Sequence, residues 1–260
     1  MSQKLIIFDL DGVLIDSKEI HFESLNKSLA KVNKSFLISR EEHLKKFDGL
    51  PTLEKLQILT NKRGLPISEH QKIFDYKQNY TFEAFKKLKE DNELQEIMKI
   101  ILNNNIKIAV ASNCIRKSVQ IALVRLGIIE YIDFIISSED VIRRKPYPEC
   151  YWKCMIACNA IPTSTVIFED SHIGRNAAKK SKAHLIPVEN RNSLNEKLLN
   201  YAFNLLNMET SIPWIDPKLN VLIPMAGEGS RFANAGYTFP KPLIEVNNKP
   251  MIQVVKENLS

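Results

Sequence analysis

Residues 4–17 read Lys4-Leu5-Ile6-Ile7-Phe8-Asp9-Leu10-Asp11-Gly12-Val13-Leu14-Ile15-Asp16-Ser17 and carry the strongest fold signal in the chain. Its first half is an apolar run that predicts a buried strand over residues 4–10, ended by acidic residues and Gly12. In parallel α/β sheets ligands bind at the carboxyl ends of the strands. We therefore expect Asp9 and Asp11 to lie in a functional site.

The sequence that follows, residues 17–91, carries helical periodicity and no convincing strand. Gly and Pro punctuate it at residues 49–52 and 64–66. The apolar positions that repeat at helical spacing are Ile20, Leu25, Leu29, Leu53, Leu56 and Leu59. This stretch predicts an all-helical insertion, a cap, placed directly after the first strand.

Strand and helix signals alternate from residue 94 to residue 206. We expect strands at 106–111, 134–136, 165–168 and 184–188, and helices at 94–102, 116–126, after Pro148, at 173–182 and at 194–206. Such alternation predicts an α/β fold with a parallel sheet covered by helices on both faces. The expected domains are a core of residues 1–16 and 92–206, a cap of residues 17–91, a linker at 207–219 and a separate segment at 220–260.

Composition narrows the class of protein. The 260 residues carry a formal net charge of +6, but Lys and Arg alternate with Glu and Asp, which is typical of solvated helix faces and argues against nucleic acid as a partner. No apolar run approaches the ~18–20 residues that span a bilayer, and the N-terminus lacks a signal-peptide pattern. We expect no membrane partner and a cytoplasmic location. The sequence does not indicate an oligomeric state.

Three of the four cysteines, Cys150, Cys154 and Cys158, are spaced four residues apart on a predicted helix. A metal site would need further Cys or His ligands nearby, and the sequence has no second pair there. We therefore expect a buried stripe of small side chains.

Polar residues follow three of the predicted strands, and a lysine lies on a predicted loop. Asp9 and Asp11 follow the first strand, and Ser112-Asn113 follow the second; Lys145 lies on a loop, and Glu169-Asp170-Ser171 follow a later strand. Clustered carboxylates favour a hard cation such as Mg²⁺, which prefers oxygen ligands. Mg²⁺ and a lysine together neutralise phosphoryl oxygens. The set therefore indicates phosphoryl transfer, with Mg²⁺ as cofactor.

These residues form an ordered set of motifs: Asp9-Leu10-Asp11-Gly12-Val13-Leu14-Ile15-Asp16-Ser17, then Ser112, then Lys145-Pro146, then Glu169-Asp170-Ser171-His172-Ile173-Gly174. The set resembles the haloacid dehalogenase superfamily over about the first 200 residues. The helical insertion resembles the cap of its β-phosphoglucomutase-like phosphatases. The resemblance implies a Rossmann-like core and a phosphoric monoester hydrolase acting on a small phosphorylated metabolite. The dehalogenase branch lacks this full acidic set.

The resemblance also implies catalytic roles. Asp9 would be the nucleophile that forms an aspartyl-phosphate, and Asp11 the general acid/base. Ser112 would hold the phosphoryl group, and Lys145 would balance charge between nucleophile and phosphate. These four residues are the expected catalytic set.

Metal and substrate contacts follow from the same resemblance. Asp170 would bind Mg²⁺ together with Asp9 and the backbone carbonyl of Asp11, with Glu169 as a further ligand or a partner of one. The expected substrate contacts are Gly12, Asn113, Arg116 and His21. His21 matches a histidine often found at the cap hinge, although a helix-surface position is an open alternative, and His172 is expected to face solvent or substrate without catalysis.

A phosphosugar mutase of the β-phosphoglucomutase type is the alternative within this branch. A mutase needs a cap residue, typically an arginine, that grips the distal phosphate of a bisphosphate intermediate. The corresponding loop here, residues 47–54, has no arginine, and Lys55 lacks the bidentate fork of a guanidinium. Hydrolysis is therefore favoured over isomerisation. A catalytically silent regulatory domain is a further alternative, which the intact motif set argues against.

The last 40 residues have a different character. The segments Val221-Leu222-Ile223-Pro224-Met225-Ala226-Gly227-Glu228-Gly229-Ser230-Arg231, Pro240-Lys241-Pro242-Leu243 and Lys249-Pro250-Met251-Ile252 are similar to the opening of sugar-phosphate nucleotidyltransferases. In that family the glycine-rich loop cradles nucleotide phosphates. The resemblance implies that Gly227, Gly229, Arg231 and Lys241 are vestigial nucleotide contacts. We expect an incomplete second α/β domain without transferase activity, from a bifunctional phosphatase/nucleotidyltransferase.

Overall fold

The computed structural model describes residues 2–47, 50–208, 245–246 and 249–250. The chain divides into two compact units, Met1–Thr210 and Ser211–Ser260. In the second unit the described residues are two short antiparallel strands, β6 (Glu245–Val246) and β7 (Lys249–Pro250). The glycine-rich loop and Lys241, which we expected to be vestigial nucleotide contacts, lie outside the described residues.

A five-stranded parallel sheet forms the centre of the first unit, in the order β3-β2-β1-β4-β5. The strands are β1 (Gln3–Phe8), β2 (Lys107–Ala111), β3 (Phe134–Ile136), β4 (Ala160–Glu169) and β5 (His184–Pro187). Because β1 is central and all strands run the same way, Asp9 lies between the carboxyl ends of β2 and β4. The predicted α/β fold with a parallel sheet is confirmed.

Helices cover both faces of this sheet. They are α5 (Asn92–Asn103), α6 (Arg116–Arg125), α7 (Glu149–Ala157), α8 (His172–Ser181) and α9 (Glu196–Asn207). Successive residues of β1 point to opposite faces: Ile6 and Phe8 belong to one buried hydrophobic cluster, and Leu5 and Ile7 belong to another. A continuous apolar run such as residues 5–8 is what a doubly covered strand requires.

The described residues of the insertion between β1 and α5 form helices joined by loops and turns, without a strand. It contains α1 (Lys18–Ala30), α2 (Arg40–Glu42) followed by a π-helical turn (His43–Phe47), α3 (Thr52–Arg63) and α4 (His70–Phe85). We call helices α1 to α4 the cap. They bury a hydrophobic cluster of their own: Leu25, Leu29, Ile38, Phe47, Leu56, Leu59, Leu65 and Ile73. The expectation of helices without strands in this insertion agrees with the structure.

Strand β4 is longer than the sequence indicated. The prediction covered residues 165–168, whereas the strand runs from Ala160 to Glu169. Its first five residues are only partly buried and include Pro162, Thr163 and Ser164, so they lack the apolar signal of a core strand. A register shift against β1 separates this half from the buried half. Only the buried half can be recognised from hydrophobicity.

Cys150 and Cys154 on α7 and Cys158 directly after it are free and buried, as expected for a packed stripe of small side chains. They belong, with Tyr151 and Met155, to the hydrophobic cluster on one face of the sheet.

Within the described residues, no helix is both long enough and apolar enough to cross a bilayer.

Candidate active site

The carboxyl ends of β1, β2 and β4 open into one cavity, which helices α1, α3 and α4 of the cap also line. Acidic residues lie on its core side: Asp9, Asp11, Glu169 and Asp170. Basic residues line it as well: Lys18, His21, Lys55, Lys77, Arg144 and Lys145. The cavity therefore combines carboxylates that can bind a cation with ammonium and guanidinium groups that can bind an anion.

Lys145 joins the two most buried carboxylates of the cavity. Its Nζ donates to Asp9 Oδ1 at 2.7 Å, to the Ala111 carbonyl at 2.9 Å and to Glu169 Oε1 at 3.3 Å. The exposed fractions are 4% for Lys145, 6% for Asp9 and 0% for Glu169. Charges this far from solvent are tolerated because each has a partner of opposite sign.

Burial governs the protonation of this group. Desolvation raises the pKa of Asp9 well above its usual value, the charge of Glu169 raises it further, and Lys145 opposes both. Desolvation raises the pKa of Glu169 as well, again against the ammonium of Lys145. The pKa of Asp170 is raised to about 6 by burial and by the charge of Glu169. More negative charge is thus gathered here than Lys145 alone neutralises.

Asp9, Glu169 and Asp170 form a set that fits a divalent cation. One carboxylate oxygen from each lies within 4.8 Å of the others. All three donors are oxygens, which is the ligand type of Mg²⁺. Burial raises the pKa of all three carboxyl groups, and the charge of Glu169 raises those of Asp9 and Asp170 further; a bound cation would offset both effects. The residues present therefore fit the metal that the motifs imply.

Asp11 has a separate set of hydrogen-bond donors. Its Oδ1 accepts from the Ser17 hydroxyl and lies 2.8 Å from His21 Nε2, and its Oδ2 accepts from Cys114 Sγ at 3.1 Å. Burial alone would raise the pKa of Asp11, but His21 and the hydrogen bonds outweigh it and hold the pKa below its usual range. The structure therefore favours the ionised carboxylate.

Helix α1 of the cap supplies the imidazole that contacts Asp11, and helix α4 supplies the lysine on its other side. His21 lies on α1, and its Nδ1 faces the Nζ of Lys77 on α4 at 3.2 Å. Burial and the charge of Lys77 lower the pKa of His21. A neutral imidazole then accepts from Lys77 at Nδ1 and donates to Asp11 at Nε2. This chain of contacts connects the cap to the end of β1.

Gly12 is required by close packing against Asp170. A Cβ on Gly12 would lie 2.0 Å from Asp170 Oδ2, and the backbone there has a φ of +81°. We expect Gly12→Ala to displace the Asp170 carboxylate and to weaken Mg²⁺ binding at least tenfold in isothermal titration. Gly64→Ala is the matched control, since Gly64 has a similar φ of +70° and open space around it. Equal metal affinity in both variants would contradict the packing argument.

Comparison with known proteins decides the family. Residues 6–188 match the family model of haloacid dehalogenase-like hydrolases, which is well over half of the chain. The chain belongs to this family. It is a phosphoric monoester hydrolase of the haloacid dehalogenase superfamily, in the β-phosphoglucomutase-like branch that the motifs indicated.

Three similar proteins illustrate the relationship. A phosphorylated carbohydrates phosphatase of Thermotoga maritima is 28% identical over 179 residues, covering 68% of this chain and 80% of its own. A β-phosphoglucomutase of Bacillus subtilis is 26% identical over 189 residues, covering 71% and 83%. The crystal structure of β-phosphoglucomutase from Clostridium difficile superposes with a TM-score of 0.64 at 21% identity, covering 78% of this chain and 97% of that one. This last likeness concerns the fold.

Most of the predicted site residues of this haloacid dehalogenase-like chain meet in the cavity, namely Asp9, Asp11, Gly12, His21, Asn113, Lys145, Glu169 and Asp170. Ser112 is buried, and its hydroxyl accepts from the Cys114 backbone N–H at 3.0 Å. Ser112 is not among the described residues that line the cavity. Its phosphoryl contact stays a prediction.

Arg116 differs from the expectation. Its guanidinium pairs with Asp140 at 2.6 Å, and it is not among the described residues that line the cavity. The carboxylate of Asp140 also accepts from the backbone and hydroxyl of Ser137, so it is fixed in place to hold the arginine. Proximity in sequence to Ser112 suggested a phosphate contact, and Asp140, 24 residues away, draws the side chain elsewhere.

Lys77 and Cys114 were not predicted from the sequence. Cys114 contacts Asp11 directly, and Lys77 contacts its partner His21. Lys77 had a detectable signal: it is a charged residue on the buried face of α4, in line with Ile73, Thr81 and Phe85. A lysine at such a position is costly unless it has a partner. Cys114 lies two residues after Ser112 and has no comparable signal, because its role depends on meeting Asp11 across 103 residues of chain.

Proposed function

We propose that this chain is a Mg²⁺-dependent phosphatase that hydrolyses a small phosphorylated metabolite, a sugar phosphate by preference, through an aspartyl-phosphate on Asp9. The observation that carries the proposal is the buried Asp9 carboxylate at the end of β1, which pairs with Lys145 at 2.7 Å and has an oxygen within 4.8 Å of one from Glu169 and one from Asp170. A carboxylate in this setting can attack phosphorus while the surrounding cations hold the phosphoryl oxygens.

In the first step, a carboxylate oxygen of Asp9 forms a bond to phosphorus and the bond from phosphorus to the leaving oxygen breaks. Asp11 is ionised in the free protein, so it must take up a proton when the substrate binds; it then gives this proton to the leaving oxygen, which departs as an alcohol. The Lys145 ammonium lies between Asp9 and Glu169 and offsets the charge that gathers on the phosphoryl oxygens. The Ser112 hydroxyl and backbone N–H groups of that loop would hold the same oxygens.

In the second step, a water molecule attacks the aspartyl-phosphate. Ionised Asp11 takes a proton from this water, the bond between phosphorus and the Asp9 oxygen breaks, and inorganic phosphate leaves. The hydrogen bonds from Ser17, His21 and Cys114 stabilise the ionised Asp11 that this step needs. The proton it takes restores the acid for the next leaving group.

The metal would be held by Asp9, Asp170 and the backbone carbonyl of Asp11, with Glu169 as a further ligand or a partner. Mg²⁺ supplies positive charge that neutralises carboxylates and phosphoryl oxygens together. Glu169 also accepts from Lys145 and from the Ser171 hydroxyl, so its orientation is fixed by the core.

A sugar phosphate suits the cavity and the relatives. The related protein of Thermotoga maritima is named as a phosphatase of phosphorylated carbohydrates. The cap contributes Thr52, Lys55, Lys77 and Gln78 to the cavity lining, which are groups that can bind hydroxyl and anionic substituents of a leaving group. We therefore propose that these cap residues select the substrate.

A mutase is the second candidate, because the Bacillus subtilis relative is named as a β-phosphoglucomutase. Hydrolysis is favoured because residues 47–54 carry no arginine to grip a distal phosphate. We expect the protein with Mg²⁺ to release inorganic phosphate from a panel of sugar monophosphates, and chelation of Mg²⁺ to abolish the release. Interconversion of hexose 1- and 6-phosphates that exceeds phosphate release would instead establish the mutase, and no turnover of either kind would indicate a silent domain.

We further propose that the phosphatase is part of a bifunctional protein with a sugar-phosphate nucleotidyltransferase. This rests on the sequence of residues 221–252 alone. Such a pairing suits a reaction sequence in which the phosphatase removes a phosphate from a sugar phosphate and the nucleotidyltransferase joins a sugar phosphate to a nucleotide. The phosphatase panel tests this link as well, because a protein that ignores every sugar phosphate would remove its support.

A further inference from the structure

Lys18 brings an ammonium from the cap to the proposed metal site. It is the first residue of α1, and its Nζ lies 3.3 Å from Asp170 Oδ2. The Asp170 side chain is 7% exposed, whereas that of Lys18 is 38% exposed. Asp170 is confined on another side by Gly12, so its carboxylate has little freedom to turn away.

Lys18 differs from the other basic residues of the cavity in the carboxylate that it contacts. Lys145 contacts Asp9 and Glu169, and Asp11 is held by Ser17, His21 and Cys114. Among the described residues, Lys18 is the residue that forms a salt bridge with Asp170. An ammonium thus rests on one of the three carboxylates that fit a divalent cation.

We propose that the Lys18 ammonium competes with Mg²⁺ for the Asp170 carboxylate, so that the site binds the metal more weakly than it would without Lys18. The inference rests on the metal role in the proposed function. Two cations that share one buried carboxylate repel each other, and the metal also loses part of the charge that attracts it. Because the Lys18 side chain is partly exposed, its ammonium can turn to solvent when the metal arrives.

The size of the effect is bounded by solvent exposure. An ion pair with one exposed partner contributes at most about 1 kcal/mol, which corresponds to roughly a five-fold change in the dissociation constant. Salt screens such a pair, so the difference should shrink at high ionic strength.

The competition also links the metal to the cap. Lys18 begins a cap helix and Asp170 follows a core strand, so metal binding would release a contact between these two parts. By linkage, whatever stabilises the Lys18–Asp170 contact must weaken metal binding by the same factor.

Isothermal titration with MgCl₂ tests the proposal on the full chain without any substrate. We expect Lys18→Met to bind Mg²⁺ roughly two- to five-fold more tightly than the wild type, and Lys18→Arg to stay near wild type because it keeps the charge. Lys27→Met is the matched control: Lys27 lies on the same helix, pairs with Glu23 at 2.8 Å and lies outside the cavity lining. Its affinity should equal that of the wild type.

The possible failures are distinguishable. Unchanged or weaker Mg²⁺ binding in Lys18→Met, with the wild type binding normally, overturns the competition and leaves the proposed function standing. An equal gain in Lys27→Met shows a general charge effect and also overturns it. A wild type that binds no Mg²⁺ at all removes the proposed metal role itself.

Discussion

Asp9→Asn is expected to abolish release of inorganic phosphate, with a loss of several orders of magnitude in kcat. The amide that replaces the carboxylate is a poor nucleophile, so the covalent step through Asp9 has no substitute. The variant also loses a buried anion that pairs with Lys145 at 2.7 Å. Phosphate release from an aryl phosphate at saturating Mg²⁺ measures the effect. Brief mixing with ³²P-labelled substrate followed by acid quenching should label the wild type and leave Asp9→Asn unlabelled.

Asp16→Asn is the matched control for this substitution. Asp16 lies in the same strand-end segment but is exposed and is not among the described residues that line the cavity. We expect it to keep near wild-type kcat and to retain the label. Activity that survives in Asp9→Asn, or its equal loss in Asp16→Asn, would overturn the proposed mechanism.

Lys145→Met is expected to destabilise the fold as well as to remove activity. Lys145 is 4% exposed and pairs with two carboxylates that are almost as inaccessible. Removing one partner of a buried ion pair leaves an uncompensated charge and costs about 3–5 kcal/mol. Urea unfolding without Mg²⁺ measures this loss. Added Mg²⁺ should recover part of it, because the metal would neutralise the same carboxylates.

Lys153→Met is the matched control for Lys145→Met. Lys153 lies on α7 and pairs with Glu149 at 3.3 Å, with 43% of its side chain exposed. The lysine is partly solvated, and Glu149 keeps two backbone N–H donors without it, so the pair contributes about 1 kcal/mol or less and we expect little change in unfolding. If Lys145→Met unfolds at the same urea concentration as the wild type, the buried ion pair does not stabilise the core as proposed.

Much of the fold was predictable because its signals are local. The apolar run at residues 5–8 marks a strand buried on both faces, and the alternation that follows it marks a parallel sheet. The first half of β4, from Ala160 to Ser164, was not predictable, since its side chains are only partly buried and its place in the strand depends on pairing with β1, Gln3 opposite Ala160. Backbone pairing between strands does not require apolar side chains, so a hydrophobic pattern does not reveal it.

The acidic side of the site was also predictable, because strand ends in a parallel sheet converge. Asp9, Glu169 and Asp170 could be assigned to one site from the topology alone. Arg116 shows the limit of that reasoning. Its backbone position follows from the motif, but the direction of its side chain depends on Asp140, which comes from another part of the sheet edge.

The α/β sheet, the helical insertion and the carboxylates at the strand ends could thus be predicted from the sequence. The contacts that reach these carboxylates from the cap could not: His21 with Lys77 against Asp11, and Lys18 against Asp170. They depend on how the cap helices pack. His21 and Lys77 are 56 residues apart, and no local periodicity or spacing specifies how two cap helices pack over a sheet. Around Asp11 and Asp170, therefore, the acids could be named from the sequence, and the folded cap added His21 and Lys18 as partners.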